Sequence, residues 1–200
     1  HEKQRLEEVQ RNAMKINSLI HQVLNFNRIE DNEDSLLILS RIELVSFSHS
    51  LFSVYEEDKR LTFLFETNKA KIYADMDAIK LGVILDSLLS NAVKFTPDGG
   101  SIRLSLFYRE ETGLVDICVS DTGSGIPPRD IPYIFQRFFQ SPHSGNKEGT
   151  GIGLYLVKTY TELHGGHITG VTSEEGKGTS VGLNIPVIAV EEEKIPATQE

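Results

Sequence analysis

The chain has 200 residues, with 29 acidic against 20 basic side chains and a formal net charge of −9. This acidic balance argues against a nucleic-acid or anionic-membrane surface, because phosphates require a basic footprint. A single cysteine, Cys118, excludes a disulfide framework, and the six histidines lack metal-ligand spacing. No apolar run approaches 18 residues, so the composition favours one globular domain with an appendage.

Residues 2–30 carry an apolar seam typical of a long bundle helix. Its positions step alternately by 3 and 4 residues: Leu6, Val9, Ala13, Ile16, Ile20, Val23 and Asn27. Such a face needs a partner, either a second copy of the helix or a helix outside this chain. The alternative is that the helix folds back on its own domain. Residues 31–35 and the acidic residues 189–200 are predicted linkers.

From residue 36 the pattern changes to short strands and helices. Helices are predicted at 43–58, at 76–95, briefly at 131–139 and from 154 to 163. Strands are predicted at Leu36–Leu39, 61–66 and 71–74, followed by hairpins at 102–120 and 167–185. This order predicts an α+β fold with two layers, a mixed and mostly antiparallel sheet with three helices on one face.

Three glycines, Gly149, Gly151 and Gly153, directly precede the third main helix. Glycines let a backbone approach a ligand closely, and the free N–H groups of a helix N-terminus suit an anion such as a polyphosphate. The spacing fits neither a P-loop nor the dinucleotide fingerprint. A tight helix entry without a ligand is the alternative.

Polar residues also interrupt the apolar pattern of the 76–95 helix. Ser87, Asn91 and Lys94 fall at i, i+4 and i+7, along an edge beside its buried stripe. An amide oxygen is a suitable ligand for Mg²⁺, and a lysine is a point charge for phosphate. An ordinary amphipathic flank would look the same.

Asp121 continues the core-facing side of a predicted strand. It shares the parity of Val115, Ile117 and Val119, so its carboxylate faces the core. Burying this charge costs free energy unless a group donates a hydrogen bond to it. Gly123 and Gly125 leave space beside it, and the exocyclic amine of adenine would satisfy it. Alternatively, the carboxylate binds its own backbone in an Asp-Thr-Gly turn.

Five segments together resemble the sequence boxes of histidine kinases, in order and spacing. Ser87–Phe95 resembles the N box, Asp121–Ile126 the G1 box, Ile134–Phe139 the F box, Gly149–Leu154 the G2 box and Gly176–Thr179 the last glycine box. The resemblance covers residues 36–188. It implies a Bergerat-type ATP-binding domain of the GHKL superfamily, preceded over residues 1–30 by the second helix of a dimerisation hairpin.

The resemblance also implies residue roles. Asn91 would hold Mg²⁺, Lys94 would approach the phosphates, and Asp121 would accept the adenine amine. Residues 127–148 would form a lid over ATP, anchored by Phe135 and Phe138. The other residues that it assigns to the nucleotide are Phe95, Gly123, Gly125, Ile126, Gly149, Thr150, Gly151, Gly153, Leu154 and Thr179.

By the same resemblance, the chain is the catalytic region of a two-component sensor kinase, which transfers the γ-phosphoryl of ATP to a histidine. The expected parent is a membrane-anchored bacterial sensor whose cytoplasmic part includes this chain. It would dimerise through the N-terminal helix and act on a response-regulator receiver domain. In a hybrid two-component protein, this receiver domain would belong to the same polypeptide. The His-Glu-Leu-Arg-Thr-Pro-like run of the acceptor is absent. Neither His1 nor His21 is expected to replace it, so the chain should bind ATP without labelling itself.

Two positions depart from the family pattern. Ser87 stands where the family usually has Asn, and Gln140 stands where many members have an Arg near the γ-phosphate. These departures motivate an alternative function, a degenerate nucleotide-binding or dimerisation module that regulates a partner. A third alternative, an ATP-hydrolysing GHKL protein, would need a general-base Glu at position 87.

Overall fold

The computed structural model describes residues 36–142 and 149–187, which contain seven strands and three α-helices. In chain order these are β1 (Ser40–Glu43), α1 (Leu44–Tyr55), β2 (Thr62–Thr67), β3 (Tyr73–Met76), α2 (Ala78–Phe95), β4 (Ser101–Arg109), β5 (Leu114–Asp121), α3 (Gly153–Leu163), β6 (His167–Glu174) and β7 (Gly178–Pro186). The predictions for residues 1–30, 31–35 and 189–200 lie outside the described residues. Within the described ranges, no helix is long and apolar enough to cross a membrane.

The main sheet has five strands in the order β2-β4-β5-β7-β6. Only the β2–β4 pair is parallel, and the other neighbours are antiparallel. Both predicted hairpins are present, as β4–β5 and β6–β7. The α+β class and the mixed, mostly antiparallel sheet are therefore confirmed.

The hydrophobic core lies between this sheet and the three helices. Alternate residues of β4 and β5 are fully buried, as expected for strands with one covered face. Helix α2 buries the predicted stripe of Leu81, Leu85, Leu88 and Ala92. It packs against both α1 and α3, so α2 is the central helix of the layer.

A second, two-stranded sheet was not predicted. The strand expected at Leu36–Leu39 is wrong: Leu36 and Ile38 are exposed, and the strand is β1, at Ser40–Glu43, paired antiparallel with β3. The side chain of Glu43 then caps α1 by accepting hydrogen bonds from two backbone N–H groups. Strand and helix therefore meet at one residue, which apolar periodicity does not reveal.

The helix predicted at 76–95 begins two residues later because Met76 is still paired in β3. Asp77 is the N-cap of α2, and its side chain accepts hydrogen bonds from the N–H groups of Ile79 and Lys80. The short helix predicted at 131–139 is reduced to a single 3-10 turn at Ile131–Tyr133, which contains Pro132. Phe138, within that predicted helix, has a positive φ of 60°, which is incompatible with a right-handed helix.

Candidate functional site

Asp121 ends β5 on the helix-covered side of the sheet, as its parity predicts. Its Oδ1 accepts hydrogen bonds from the N–H groups of Gly123, at 2.8 Å, and Thr179, at 3.3 Å. No residue of the described ranges bonds to Oδ2. Burial raises the pKa of the carboxyl above its ordinary value, although the two N–H donors act in the opposite direction. The Asp-Thr-Gly turn is therefore real, and it leaves one carboxylate oxygen for a ligand.

The second half of α2 supplies Ser87, Asn91 and Lys94. Ser87 is buried, whereas Asn91 and Lys94 are half-buried at the edge of the core. The Asn91 amide makes no hydrogen bond to the described part of the chain. The Lys94 ammonium lies 4.8 Å from the ring centroid of Phe95, the last residue of α2.

The end of α2 supports the loop that follows Asp121. The Phe95 carbonyl accepts a hydrogen bond of 3.1 Å from the N–H of Ser124. A Cβ at Gly123 would lie 2.7 Å from that carbonyl oxygen, so only glycine lets the two backbones meet there. This contact places the carboxylate of Asp121 beside the C-terminal end of α2.

The glycine triplet lies close to two side chains of α2. A Cβ at Gly149 would be 3.1 Å from the Lys94 ammonium, and one at Gly153 would be 3.6 Å from the Ser87 hydroxyl. Gly153 begins α3, which confirms the predicted helix entry. The fold thus brings Lys94 to the loop that was predicted to bind phosphate.

Residues of the predicted lid are joined to the glycine triplet. The N–H of Phe138 donates to the Gly151 carbonyl at 2.9 Å, and Gly151 has a φ of 69° with no room for a Cβ. Phe135 packs against the core as predicted, but the prediction that Phe138 is also an anchor is wrong, because 58% of it is exposed. The Gln140 amide donates to the Gly149 carbonyl at 2.9 Å.

The β6–β7 hairpin contacts the end of β5 and the loop that follows Asp121. Gly178, with a φ of 109°, lies against the Asp121 backbone, and a Cβ there would be 1.9 Å from the Asp121 carbonyl oxygen. Gly125, also at positive φ, lies against the backbone of Glu174 in β6. Thr179 is paired directly with Asp121 in the β5–β7 register. The last glycine box, Gly176–Thr179, therefore contacts the G1 box, Asp121–Ile126.

Of the remaining predicted residues, Ile126 and Leu154 are both half-buried. The N–H of Ile126 donates to the hydroxyl of Ser173 at 2.7 Å. Leu154 packs against the core from the first turn of α3. The Thr150 hydroxyl accepts a hydrogen bond of 3.2 Å from the N–H of Ile152. Ser173 was not singled out from the sequence, and its position opposite Thr179 is visible only in the strand register.

The donor set suits a metal that is shared with a polyphosphate. The described residues hold no group of three or more His, Cys, Asp or Glu side chains that could bind a metal ion. Mg²⁺, however, usually keeps several waters and takes one or two protein oxygens together with substrate phosphates. The amide oxygen of Asn91, close in the sequence to Lys94, fits that requirement.

Comparison with known proteins agrees with this geometry. Residues 76–189 match the family described as histidine kinase-, DNA gyrase B- and HSP90-like ATPase. The chain is 31% identical over 172 residues to the sensor histidine kinase WalK of Bacillus subtilis, an alignment that covers 84% of this chain and 28% of WalK. The chain therefore spans little more than a quarter of that relative.

Two solved structures show the same fold. Full-length ShkA in complex with AMPPNP superimposes with a TM-score of 0.75 at 24% identity, over 94% of this chain and 40% of ShkA. Histidine kinase ThkA in complex with response regulator protein TrrA superimposes with a TM-score of 0.67 at 21% identity, over 88% of this chain and 49% of the other.

The chain belongs to the histidine kinase-, DNA gyrase B- and HSP90-like ATPase family. Within that family it is a catalytic domain of the sensor histidine kinase type. The GHKL resemblance and the fold that it implied are confirmed.

Proposed function

We propose that this chain binds ATP through the residues described above and transfers its γ-phosphoryl to a histidine of the parent protein. The observation that carries the proposal is the carboxylate of Asp121. It lies on the covered face of the sheet, its Oδ1 is held by two backbone N–H groups, and its Oδ2 is left to accept from a ligand. The exocyclic amine of adenine is the donor that fits this oxygen.

The phosphate end of the proposed site lies between α2 and the glycine triplet. Asn91 would hold Mg²⁺, which neutralises charge on the triphosphate when bound. Lys94 and the N–H groups of the loop at 149–153 would position the phosphates at the N-terminus of α3. This division leaves Asp121, Gly123, Gly125 and Thr179 for the base.

The acceptor is proposed to be a histidine of the parent protein that this chain does not contain, and the buried histidine of the described residues, His164, does not replace it. Burial lowers the pKa of His164, and both of its ring nitrogens are engaged. Nδ1 lies 2.7 Å from the carbonyl oxygen of Tyr160, and Nε2 accepts a hydrogen bond of 3.2 Å from the N–H of Asp77. An imidazole held in this way has no free nitrogen with which to attack a phosphoryl group.

For the parent protein, we propose a cytoplasmic catalytic region of a membrane-anchored sensor that dimerises through the segment at 2–30. The proposed partner is a response-regulator receiver domain, in the same or a separate polypeptide, with no role for nucleic acid. The ThkA structure with response regulator protein TrrA supports this class of partner. Phosphate transfer from the labelled parent to a purified receiver domain is the test.

One observation favours a second function, a nucleotide-binding module without kinase activity. Gln140 is uncharged where many members of the family have an Arg, and its amide donates to the Gly149 carbonyl, so it brings no positive charge towards the γ-phosphate. Histidine labelling of the full-length parent by radioactive ATP would eliminate this alternative. An ATP hydrolase is disfavoured because buried Ser87 supplies no carboxylate base. Steady phosphate release by the chain would revive it.

Calorimetric titration with a non-hydrolysable ATP analogue, with and without Mg²⁺, tests the proposed site. Asp121→Asn places an amide donor at the base, so we expect a loss of affinity of at least about tenfold, the effect of one unfavourable hydrogen-bond pairing. Asn91→Ala should remove the dependence on Mg²⁺. The matched control is Asp116→Asn, in the same strand but on the opposite face, which should bind like the wild type.

The same titration can refute the proposal. If the wild-type chain binds no analogue under either condition, the ATP-binding function is wrong. If Asp116→Asn weakens binding as much as Asp121→Asn does, the effect comes from the strand as a whole. The proposal that Asp121 binds the adenine base is then wrong.

A further inference from the structure

Three polar side chains form a row across the end of the main sheet. Ser173 in β6 pairs with Thr179 in β7, and Thr179 pairs with Asp121 in β5. Asp121 and Thr179 each share the parity of buried valines, Val119 and Val181, so the row lies on the helix-covered face. Directly opposed residues on one face of a sheet are close enough for their side chains to interact.

The Ser173 hydroxyl is fixed by two backbone groups. It accepts a hydrogen bond of 2.7 Å from the N–H of Ile126, in the loop after Asp121. It donates to the carbonyl oxygen of Gly178 at 3.0 Å. A serine hydroxyl has one proton and two acceptor positions, so these bonds leave it one position that can only accept.

The third contact of Ser173 therefore has a direction. Its oxygen lies 2.9 Å from the Thr179 hydroxyl oxygen, a contact in which either hydroxyl could donate. Because the Gly178 carbonyl can only accept, the arrangement that satisfies all three groups has Ser173 donate to Gly178 and Thr179 donate to Ser173. A threonine hydroxyl that donates to Ser173 can only accept from any other group. The Oδ2 of the Asp121 carboxylate next to it is likewise an acceptor. The end of the row thus offers acceptors and no donor.

This polarity discriminates between purines. A 6-amino group presents two N–H donors, which can bond to the oxygens of Asp121 and Thr179. A 6-oxo group presents an oxygen that only accepts, so it would find no donor among these oxygens. We infer that Ser173 is a positioning residue that sets the preference of this site for a 6-aminopurine over a 6-oxopurine nucleotide, through the orientation of the Thr179 hydroxyl. The inference rests on the proposed ATP-binding function.

The test compares the affinities of AMPPNP and its guanosine counterpart, GMPPNP, for the 200-residue chain and its variants. Ser173→Ala frees the Thr179 proton to turn towards the base. We expect the preference for the adenosine analogue to fall by about tenfold, with much of the loss in adenosine affinity. Ser173→Thr, which keeps the hydroxyl, should restore the preference.

Ser180→Ala is the matched control, because Ser180 follows Thr179 in β7 but lies on the opposite face, with its hydroxyl 2.7 Å from that of Ser120. It should leave both affinities within about twofold of the wild type, since a hydroxyl on the opposite face of the sheet does not contact the base. Thermal melting of each variant establishes that it is folded. If Ser173→Ala does not fold, Ser173→Cys, a weaker hydrogen-bonding group of similar size, replaces it under the same criteria.

The outcomes separate the two proposals. A wild-type chain that binds neither analogue refutes the ATP-binding function and this inference with it. A wild type that prefers AMPPNP, with Ser173→Ala keeping the same ratio, overturns the inference alone. An equal loss of affinity for both analogues also overturns it, because a merely structural residue would not alter the discrimination between bases.

Discussion

The buried ion pair at the start of α2 leads to a specific prediction: removing both of its charges should cost less stability than removing one. Asp77 and Lys80 are 4% and 7% exposed, and their charged atoms lie 3.2 Å apart. Asp77 also accepts hydrogen bonds from the backbone of Ile38, Ile79 and Lys80. Lys80 donates to the Leu36 carbonyl at 3.3 Å. The pair therefore joins the beginning of the described chain to the central helix.

Asp77→Asn keeps an oxygen for the helix cap but removes the negative charge. Breaking a buried pair from one side costs roughly 3–5 kcal/mol, because the remaining charge stays buried without its counterion. We expect the free energy of unfolding to fall by about this amount, and the melting temperature to fall by roughly 6–20 °C for a domain of this size.

The double variant Asp77→Asn/Lys80→Met provides the decisive comparison. Methionine preserves much of the lysine stem but carries no charge, and neutral replacement of a buried pair is often close to neutral in stability. The double variant should therefore be more stable than Asp77→Asn alone, by about 2 kcal/mol. Urea unfolding followed by circular dichroism measures this difference, since the chain has no tryptophan.

The exposed pair of Lys158 and Glu162 on α3 is the matched control. Its atoms are 3.9 Å apart and both side chains are about half exposed. Glu162→Gln should cost no more than about 1 kcal/mol. If the double variant is less stable than Asp77→Asn, the cost comes from packing or from the cap, and the argument from the buried charge is refuted.

Two further variants test other buried polar groups. The hydroxyl of Ser48 in α1 is fully buried and has no hydrogen-bond partner among the described residues, so Ser48→Ala should stabilise the fold by about 1 kcal/mol in urea unfolding. Ser50→Ala, in the same helix, brings the same gain in helix propensity at an exposed position. An equal increase in stability for this control would contradict the argument from burial. Burial lowers the pKa of His164 below 6.5, with Asp77 and Lys80 facing it, so the unfolded chain binds its proton first. Stability should therefore be lost as pH falls from about 8 to 5, a slope that His164→Gln flattens and that exposed His167→Gln retains.

The parts of the fold that depend on one segment could be predicted from the sequence. The stripe of α2 and the parity of Asp121 are local patterns of period 3.6 and 2, and both appear in the structure as expected. The parallel pairing of β2 with β4 and the small β1–β3 sheet could not be predicted, because short strands do not specify which neighbour they pair with.

Ser173 and the buried pair were missed for a related reason. The role of Ser173 depends on the register between β6 and β7, which shifts between Ile168 and Gly170 and has no signature in the residues themselves. The bond that joins the N–H of Asp77 to His164 spans 87 positions of the chain. Contacts of this kind follow from the assembled fold, and local patterns do not contain them.

The geometry of α2 and α3 separates stability from binding. From Asp77 to Ser87 is ten residues, or about 15 Å of helix, and the 11 residues of α3 span about 16 Å. Because Gly153 at the start of α3 lies near Ser87, and His164 at its end contacts Asp77, the two helices run antiparallel over this length. The candidate phosphate loop is therefore one helix length away from the buried ion pair. Variants of that pair should lower the free energy of unfolding without changing nucleotide affinity in the folded fraction. Asp121→Asn should instead lower nucleotide affinity in the folded fraction, and Ser173→Ala should lower the preference for the adenosine analogue there.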